Sequence, residues 1–278
     1  MSSVPGPIAI DGIECYSPAV ANCYEDYPDG GFDLTARMVE TSFWVHSRNR
    51  LFKRLVGAHL SPLYKTKFLE VGCGTGDFIR SIGESESVAV TGSEIYLKGL
   101  RYAKESVPNV EFVQLDVEHD SIDDEFDVIA AFDVIEHIDD DVAAIANMTR
   151  MLRSGGALIV SAPQHRFMWR SIDEIVKHKR RYSRMELVDK LVGNGLRIER
   201  CTSFVFMLFP LMLASRLLDR KRDEAESDEK ALERRVRLPT VLNRLFDFVM
   251  RIDEVMIGMG LSLPFGGTLV VVARKDAR

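Results

Sequence analysis

Carboxylate and imidazole side chains follow several of the apolar runs in this sequence. Glu94 and Asp116 each close such a run, and Glu136 and His137 stand just beyond a third one. If these runs are parallel strands, their carboxyl ends share one edge of a sheet and the polar groups lie together. A carboxylate there accepts hydrogen bonds from ribose hydroxyls, and a histidine suits proton transfer at neutral pH. The pattern therefore predicts a site for a nucleotide-like ligand beside a group that can move a proton.

A glycine-rich turn is the element that must position these groups. It follows the apolar run 68–71, which predicts a buried strand, and it precedes a plausible helix start at Asp77. Glycine lets the backbone approach a ligand closely and adopt positive φ angles. The turn contains no basic residue and is flanked by Glu70 and Asp77, which indicates a ligand without phosphates that carries positive groups. Its glycines stand at alternate positions: Gly72, Gly74 and Gly76.

The stretch KFLEVGCGTGDF, with an acid at the end of the next strand, resembles motif I of the class I S-adenosylmethionine-dependent methyltransferases. The resemblance implies S-adenosylmethionine as the cofactor, and its sulfonium and ammonium groups suit a turn flanked by acids. A dinucleotide-binding turn would need a glycine where Asp77 stands, and a phosphate-binding loop would continue with Gly-Lys-Ser/Thr. Neither pattern is present.

The same resemblance extends to other segments. Asp116 matches the position that reaches the adenine amino group, with the Val117 amide on the ring nitrogen. The segment FWVHSRNRL resembles a lid whose aromatic and arginine, here Trp44 and Arg48, close over the cofactor. The alternative is an amphipathic helix packed on the sheet. The predicted cofactor-binding residues are Trp44, Arg48, Glu70, Gly72, Gly74, Gly76, Glu94, Ile95, Asp116, Val117, Phe132 and Asp133.

Methyl transfer would proceed by in-line displacement at the sulfonium, so the protein mainly supplies proximity and alignment. A hydroxyl acceptor would also need a general base. Asp133, Glu136 and His137 resemble a set implicated in divalent-metal binding by enzymes that methylate polyprenylated catechols. We expect no metal, because the Glu-His pair also resembles many metal-free family members. The candidate bases are His137, His165 and His178.

Residues 164–184 leave the fifth predicted strand at the ligand-binding edge, so they are predicted to contact the acceptor. Their Asp-Glu, histidine and Arg-Arg-Tyr-Ser pattern resembles methyltransferases associated with glycan or lipid-linked substrates. The alternative is a basic loop before a helix that a Ser183/Glu186 capping box begins. The predicted acceptor-binding residues are Trp169, Asp173, Arg181 and Tyr182.

The fold class follows from strand-like runs that alternate with helical segments up to Pro163. We expect an α/β fold with a doubly wound, mostly parallel, seven-stranded Rossmann-like sheet and a helical insertion before the last strand. Residues 1 to about 30 are expected to be irregular. The predicted parts are an N-terminal arm and lid helix at 1–60, a cofactor-binding domain at 61–205 and 263–278, and the insertion at 206–262.

The insertion begins with an apolar segment that is too short to span a bilayer and is broken by Pro210. The charged segment Asp219–Arg237 is predicted to be a linker, and a second amphipathic helix is predicted to follow it. One interpretation is a cap over the acceptor or a homodimer interface. The other is an interfacial helix that touches a membrane or accepts a lipid tail, with Arg216 and its basic neighbours at the headgroups.

The composition of the chain narrows the classes of partner, metal site and cellular location further. The 278 residues carry a net charge of −6, which gives no electrostatic signature of a nucleic-acid partner. Four scattered cysteines suggest neither a disulfide framework nor a zinc site, and the first residues do not have the pattern of a signal peptide. We therefore expect a cytoplasmic protein, with membrane association left to the insertion.

The predicted function is S-adenosylmethionine-dependent methyl transfer to an oxygen of a small or lipid- or glycan-linked acceptor. One alternative is a catalytically silent scaffold that keeps the cofactor-binding fold, dimerises through the helices of the 206–262 insertion and acts by binding. The other is a nicotinamide-dependent oxidoreductase on a Rossmann domain, which the missing third glycine of the dinucleotide motif disfavours.

Overall fold

The computed structural model describes residues 6–23, 30–38, 42–82, 86–218 and 238–277. Strands in these ranges form one sheet in the order β1-β2-β5-β4-β3-β6-β7-β9-β8. The strands are β1 (Ile8–Ile10), β2 (Ile13–Cys15), β3 (Thr66–Val71), β4 (Val88–Glu94), β5 (Glu111–Gln114), β6 (Phe126–Phe132), β7 (Leu152–Pro163), β8 (Leu196–Phe204) and β9 (Thr268–Lys275). The helices are α1 (Gly31–Met38), α2 (Phe43–Gly57), α3 (Asp77–Ile82), α4 (Leu97–Ser106), α5 (Asp141–Met151), α6 (Ser171–Ile175), α7 (Arg184–Gly193), α8 (Phe209–Leu218) and α9 (Thr240–Gly258).

The sheet confirms the predicted fold class. Strands β5, β4, β3, β6 and β7 run parallel, and β9 pairs antiparallel with both β7 and β8. Helices cover both faces, so the central strands are buried and apolar, as a covered parallel sheet requires. The ends of β3 to β7 therefore meet at one edge.

The strand count was underestimated, because residues 8–15 are not irregular. Ile13 and Cys15 alternate with the exposed Glu14, which buries one side of β2 beside β5. The Asp11-Gly12 pair, with φ of 54° and 69°, forms the two-residue turn between β1 and β2. Asp-Gly is a strong hairpin signal that the sequence interpretation passed over.

Helices α2 and α9 share one face of the sheet. Leu51 and Phe52 of α2 pack in the same buried cluster as Met250 and Ile257 of α9. Arg50 of α2 joins them further, through hydrogen bonds to Glu254 and Asp247. The single predicted lid helix is thus a pair of helices, α1 and α2, of which α2 also belongs to the core.

The chain between β8 and β9 contains α8 and α9. The charged segment Asp219–Arg237 lies outside the described residues. Among the residues that are described, no helix combines the length and apolar content that crossing a bilayer requires.

Candidate active site

A cavity of about 870 Å³ opens at the carboxyl edge of the sheet. The ends of β3 to β7, helix α2, the segment 164–184 and helix α8 all contribute to its walls. One part, which we term the cofactor end, is formed by the glycine turn and the ends of β3, β4 and β5. The other part, the acceptor end, is formed by residues after β6, by segment 164–184 and by α8.

The glycine turn brings backbone, rather than side chains, to the cofactor end. Gly72 has a φ of 70°, and a Cβ added there would lie 2.4 Å from Val134 Cγ2. Gly74 also has a positive φ, and its added Cβ would meet no atom within 4 Å. Gly76 is not among the residues that line the cavity, and its added Cβ would lie 3.0 Å from Ala103 Cβ. Gly76 therefore permits α3 to pack against α4, and its contact with the cofactor stays a prediction.

Glu94 is fixed against the glycine turn. Its Oε2 accepts a hydrogen bond from the Gly74 N–H at 3.0 Å, and its Oε1 accepts one from the Ile95 N–H at 2.9 Å. Burial raises the pKa of Glu94, and these backbone donors act against that rise. The carboxylate thus has a defined place between the turn and the start of α4, where a ligand with hydroxyl groups can reach it.

Glu70 is a buried acid that lines the cofactor end. Burial raises the pKa of Glu70 to about 8, and its Oε2 has no hydrogen-bond partner among the described residues. An uncompensated buried carboxyl is costly unless a ligand supplies a donor or a positive charge. A ligand with an ammonium or sulfonium group fits this position.

Arg48 and Asp133 also line the cavity. Arg48 Nη1 is 3.0 Å from Asp133 Oδ2, and Ser161 Oγ donates to Asp133 Oδ1 at 2.9 Å. Trp44 and Phe132 line the cavity beside them. The arginine is therefore held toward the cavity by α2 and by the end of β6.

The end of β5 closes the cofactor end. Asp116 Oδ1 accepts from the Glu118 N–H at 3.0 Å, and its Oδ2 faces His119 Nδ1 at 2.9 Å. Asp116, Val117 and Ile95 all line the cavity. The strand ends, the glycine turn and α2 thus bring together at the cavity every predicted cofactor-binding residue except Gly76.

The acceptor end is organised by Asp173, which is completely buried. Its Oδ1 accepts from His178 Nδ1 at 3.0 Å and lies 2.7 Å from Arg181 Nη2. Its Oδ2 accepts from Arg216 Nη1 at 3.1 Å. Burial raises the pKa of Asp173, but the His178 and Arg181 hydrogen bonds outweigh burial and hold the pKa well below its usual range. Asp173 is therefore an anion that orients His178.

Two further groups face His178. His178 Nε2 lies 3.8 Å from Glu136 Oε1, and the His137 ring stands 4.9 Å from the His178 ring. Burial raises the pKa of Glu136 well above its usual range, and neither carboxyl oxygen of Glu136 has a hydrogen-bond partner among the described residues. Burial lowers the pKa of His137 to about 3. His137 is therefore neutral at pH 7, and burial favours the neutral form of Glu136.

Glu136, His137 and His178 offer ligand atoms within 4.8 Å of one another, a spacing that a metal ion could use. The sequence interpretation had grouped Asp133 with Glu136 and His137. The structure instead pairs Asp133 with Arg48, and it brings in His178 from a distant loop. That no metal is needed stays a prediction.

Three predicted residues of segment 164–184 do not line the cavity. Tyr182 is fully buried, and its O–H donates to Asp141 Oδ2 at 2.6 Å. Trp169 Nε1 donates to Glu174, and the His165 ring lies near Phe209. A parallel bridge between residues 164 and 182 brings the two ends of this segment together, and the three side chains lie outside the cavity. The cavity thus does not support the roles predicted for Trp169, Tyr182 and His165.

Sequence reasoning missed part of the lining. Phe32 and Thr35 of α1 line the cofactor end, and Met212 and Arg216 of α8 line the acceptor end. Arg216 had been considered only as a contact to lipid headgroups. No local pattern would have found these residues, since they reach the cavity by tertiary packing.

Comparisons with known proteins agree with this geometry. Residues 69–160 match the family described as "Methyltransferase domain". The ubiquinone biosynthesis O-methyltransferase of Erwinia tasmaniensis is 28% identical over 42% of this chain and 50% of its own length. The ubiquinone/menaquinone biosynthesis C-methyltransferase of Shewanella pealeana is 33% identical over 50% of this chain and 58% of its own length. The chain thus spans about half the length of the curated relatives it matches.

A solved structure shares the fold over a longer region. An S-adenosylmethionine-dependent methyltransferase of Thermotoga maritima superimposes with a TM-score of 0.53 and 16% identity. The match covers 88% of this chain and 99% of that protein. At this identity the likeness concerns the fold alone.

Proposed function

We propose that this chain, whose residues 69–160 form a class I S-adenosylmethionine-dependent methyltransferase domain, methylates an oxygen of a small or lipid- or glycan-linked acceptor. One observation carries the proposal. A single cavity joins the glycine turn and Glu94 to His178, which Asp173 orients. Such a cavity can align a methyl donor with a hydroxyl whose proton has an acceptor nearby.

S-adenosylmethionine, when bound, supplies the methyl group. The chain's residues have separate tasks around it. Glu94 would accept from ribose hydroxyls, and Asp116 and the Val117 amide would hold the adenine. Arg48 would bind the cofactor carboxylate, while the orphaned Glu70 carboxyl would face its positive charge.

His178 would take the acceptor proton. Because the Nδ1–H of His178 donates a hydrogen bond to Asp173, the lone pair that can accept a proton lies on Nε2 of His178. The 3.8 Å between Nε2 and Glu136 Oε1 is too long for a hydrogen bond, so Nε2 keeps its capacity to accept. In its protonated form, which burial favours, Glu136 could donate a hydrogen bond to the same hydroxyl oxygen and hold it in place while His178 takes the hydroxyl proton.

The walls of the acceptor end support an acceptor with an apolar body. Ile172, Val176, Val205 and Met212 line the cavity around the polar groups. Two relatives are named for ubiquinone or menaquinone biosynthesis, and one of them is an O-methyltransferase. A hydroxylated ring or sugar attached to a lipid fits both observations.

The remaining proposals concern partners and location. Membrane contact and self-association are the two roles proposed for helices α8 and α9. A cytoplasmic location is supported by the scattered cysteines alone.

The test is a pair of measurements on the purified chain. Calorimetric titration should show binding of S-adenosylmethionine and S-adenosylhomocysteine but not of NAD. Release of S-adenosylhomocysteine should then follow addition of a short-chain prenylated catechol or a lipid-linked sugar. The same catechol with its hydroxyls already methylated is the matched control and should give no release.

Other outcomes select the alternatives. Cofactor binding without turnover on any acceptor would favour the silent scaffold. Binding of NAD with no binding of the adenosyl ligands would restore the oxidoreductase interpretation.

A further inference from the structure

Helix α9 has a second apolar face that the described residues leave exposed. Its members recur every three or four positions and so share one side of the helix. The opposite side buries Met250 and Ile257 in the core. A helix that is apolar on both sides is normally covered on both. We term the exposed face the α9 stripe, and it consists of Val241, Leu245, Phe248, Ile252, Val255 and Met259.

The charges of α9 are distributed unequally around this stripe. Asp253 is buried and accepts from the Phe206 and Met207 N–H groups. Glu254 and Asp247 pair with Arg50 of α2, and Asp247 Oδ2 also lies 3.3 Å from Nε of the more exposed Arg251. Two exposed cations of the helix, Arg244 and Arg251, lie along one flank of the stripe. The outward surface of α9 is therefore apolar with a basic border.

We propose that the α9 stripe docks onto an anionic lipid surface. A helix with large apolar side chains on one face and arginines beside them lies in the plane of the membrane, with cations at the headgroups. A second copy of the chain fits this surface less well. An antiparallel pair of such helices would bring the arginine flank of one copy against the same flank of the other, where like charges repel.

Residues 206 and 207, just before α8, donate to the buried Asp253 of α9, so the helix that carries the stripe is joined to a helix that lines the cavity. Helix α8 contributes Met212 and Arg216 to the acceptor end, and it exposes Leu211 beyond the cavity. A docked chain would thus hold its acceptor end near the lipid surface. In this respect the inference deepens the proposed function, because it names the surface that delivers the acceptor.

The test is flotation of the full chain with vesicles of phosphatidylcholine that contain phosphatidylglycerol. We expect the chain to float with these vesicles, and to float less with phosphatidylcholine alone or at high salt. The double variant Phe248→Ser and Val255→Ser should bind about tenfold more weakly or worse, since both side chains lose apolar burial. Arg244→Gln with Arg251→Gln should lose the preference for anionic vesicles.

A matched control is available on α7. Val192 is 52% exposed, close to the 51% of Val255, and Met185 is also exposed. Met185→Ser with Val192→Ser should leave vesicle binding unchanged. Thermal unfolding of all variants checks that none is misfolded.

Two results would overturn the proposal. One is a wild-type chain that does not bind anionic vesicles. The other is equal loss of binding in the α9 and α7 variants. A wild-type dimer that Phe248→Ser and Val255→Ser convert to a monomer, without vesicle binding, would assign the stripe to self-association. Flotation needs neither cofactor nor acceptor, so its outcome is independent of whether methyl transfer is found.

Discussion

The two ends of the cavity contain buried acids that respond to burial in opposite ways. At the cofactor end, Oε2 of Glu70 has no hydrogen-bond partner among the described residues, and burial raises the pKa of Glu70 to about 8. At the acceptor end, Asp173 is surrounded by His178, Arg181 and Arg216, and its pKa is held well below the usual range. A neutral acid can ionise when a cationic ligand arrives, whereas a paired anion fixes its neighbours. The cofactor end is thus suited to bind charge and the acceptor end to orient a reacting group.

The largest expected effect is on the rate, at the acceptor end. His178→Ala should lower the methyl-transfer rate by about 10²- to 10⁴-fold, because it removes the proton acceptor. S-adenosylmethionine affinity, measured by calorimetry, should stay unchanged. His165→Ala is the matched control, since His165 does not line the cavity. Equal rates for the two variants would end the assignment of His178.

The next effect is on stability. Asp173→Asn should lower the free energy of unfolding by about 3 to 5 kcal/mol, because Arg181 and Arg216 lose their buried partner. Asp133→Asn should cost less, since the Arg48–Asp133 pair is partly exposed. Urea unfolding measures both. A similar loss in the two variants would mean that the buried network has no special role.

The pH dependence of this loss has a definite sign. The folded-state pKa of Asp173 lies below its usual unfolded value, so its stabilisation is present at neutral pH. That stabilisation disappears as the pH falls below about 4, the usual value for Asp. The difference between wild type and Asp173→Asn should therefore shrink in acid.

The contribution of Glu70 to the free energy of unfolding is expected to change with pH in the opposite direction. Its folded-state pKa of about 8 lies above the usual 4.5, so its neutral form favours folding below pH 4.5 and this contribution is lost toward pH 8. Glu70→Gln should gain stability relative to wild type between pH 5 and 8, by on the order of 2–4 kcal/mol at 1.36 kcal/mol per pKa unit. Denaturant unfolding across this range is the measurement. Parallel curves for wild type and variant would show that Glu70 is ionised throughout.

The smallest effect is expected for Glu94. Glu94→Ala should weaken S-adenosylmethionine binding by about 1 to 3 kcal/mol, the scale of a lost charge-assisted hydrogen bond. Glu94→Gln keeps the shape of the side chain and separates loss of charge from loosening of the glycine turn. Calorimetric titration gives both affinities. An unchanged affinity in Glu94→Ala would remove this residue from the cofactor site.

Local patterns in the sequence predicted much of the cofactor end. Runs of apolar residues predict the strands, and the glycine spacing predicts the turn. Gly74 and Glu94 could therefore be placed at the same edge of the sheet from their positions in the sequence. Local rules also failed in places. The Asp11-Gly12 hairpin was overlooked, and the packing of Gly76 against Ala103 was not foreseen.

The sequence by itself determined the fold class and the edge of the sheet where the site lies, because these depend on short-range periodicity and backbone freedom, and its resemblance to a known family indicated the cofactor. Only the tertiary structure decided the acceptor end. Segment 164–184 has no regular period, so its sequence could not show that Asp173 and His178 face the cavity while Tyr182 faces the core. Arg216 reaches Asp173 from a helix 43 positions away in the chain. Contacts between such distant residues depend on how whole elements pack.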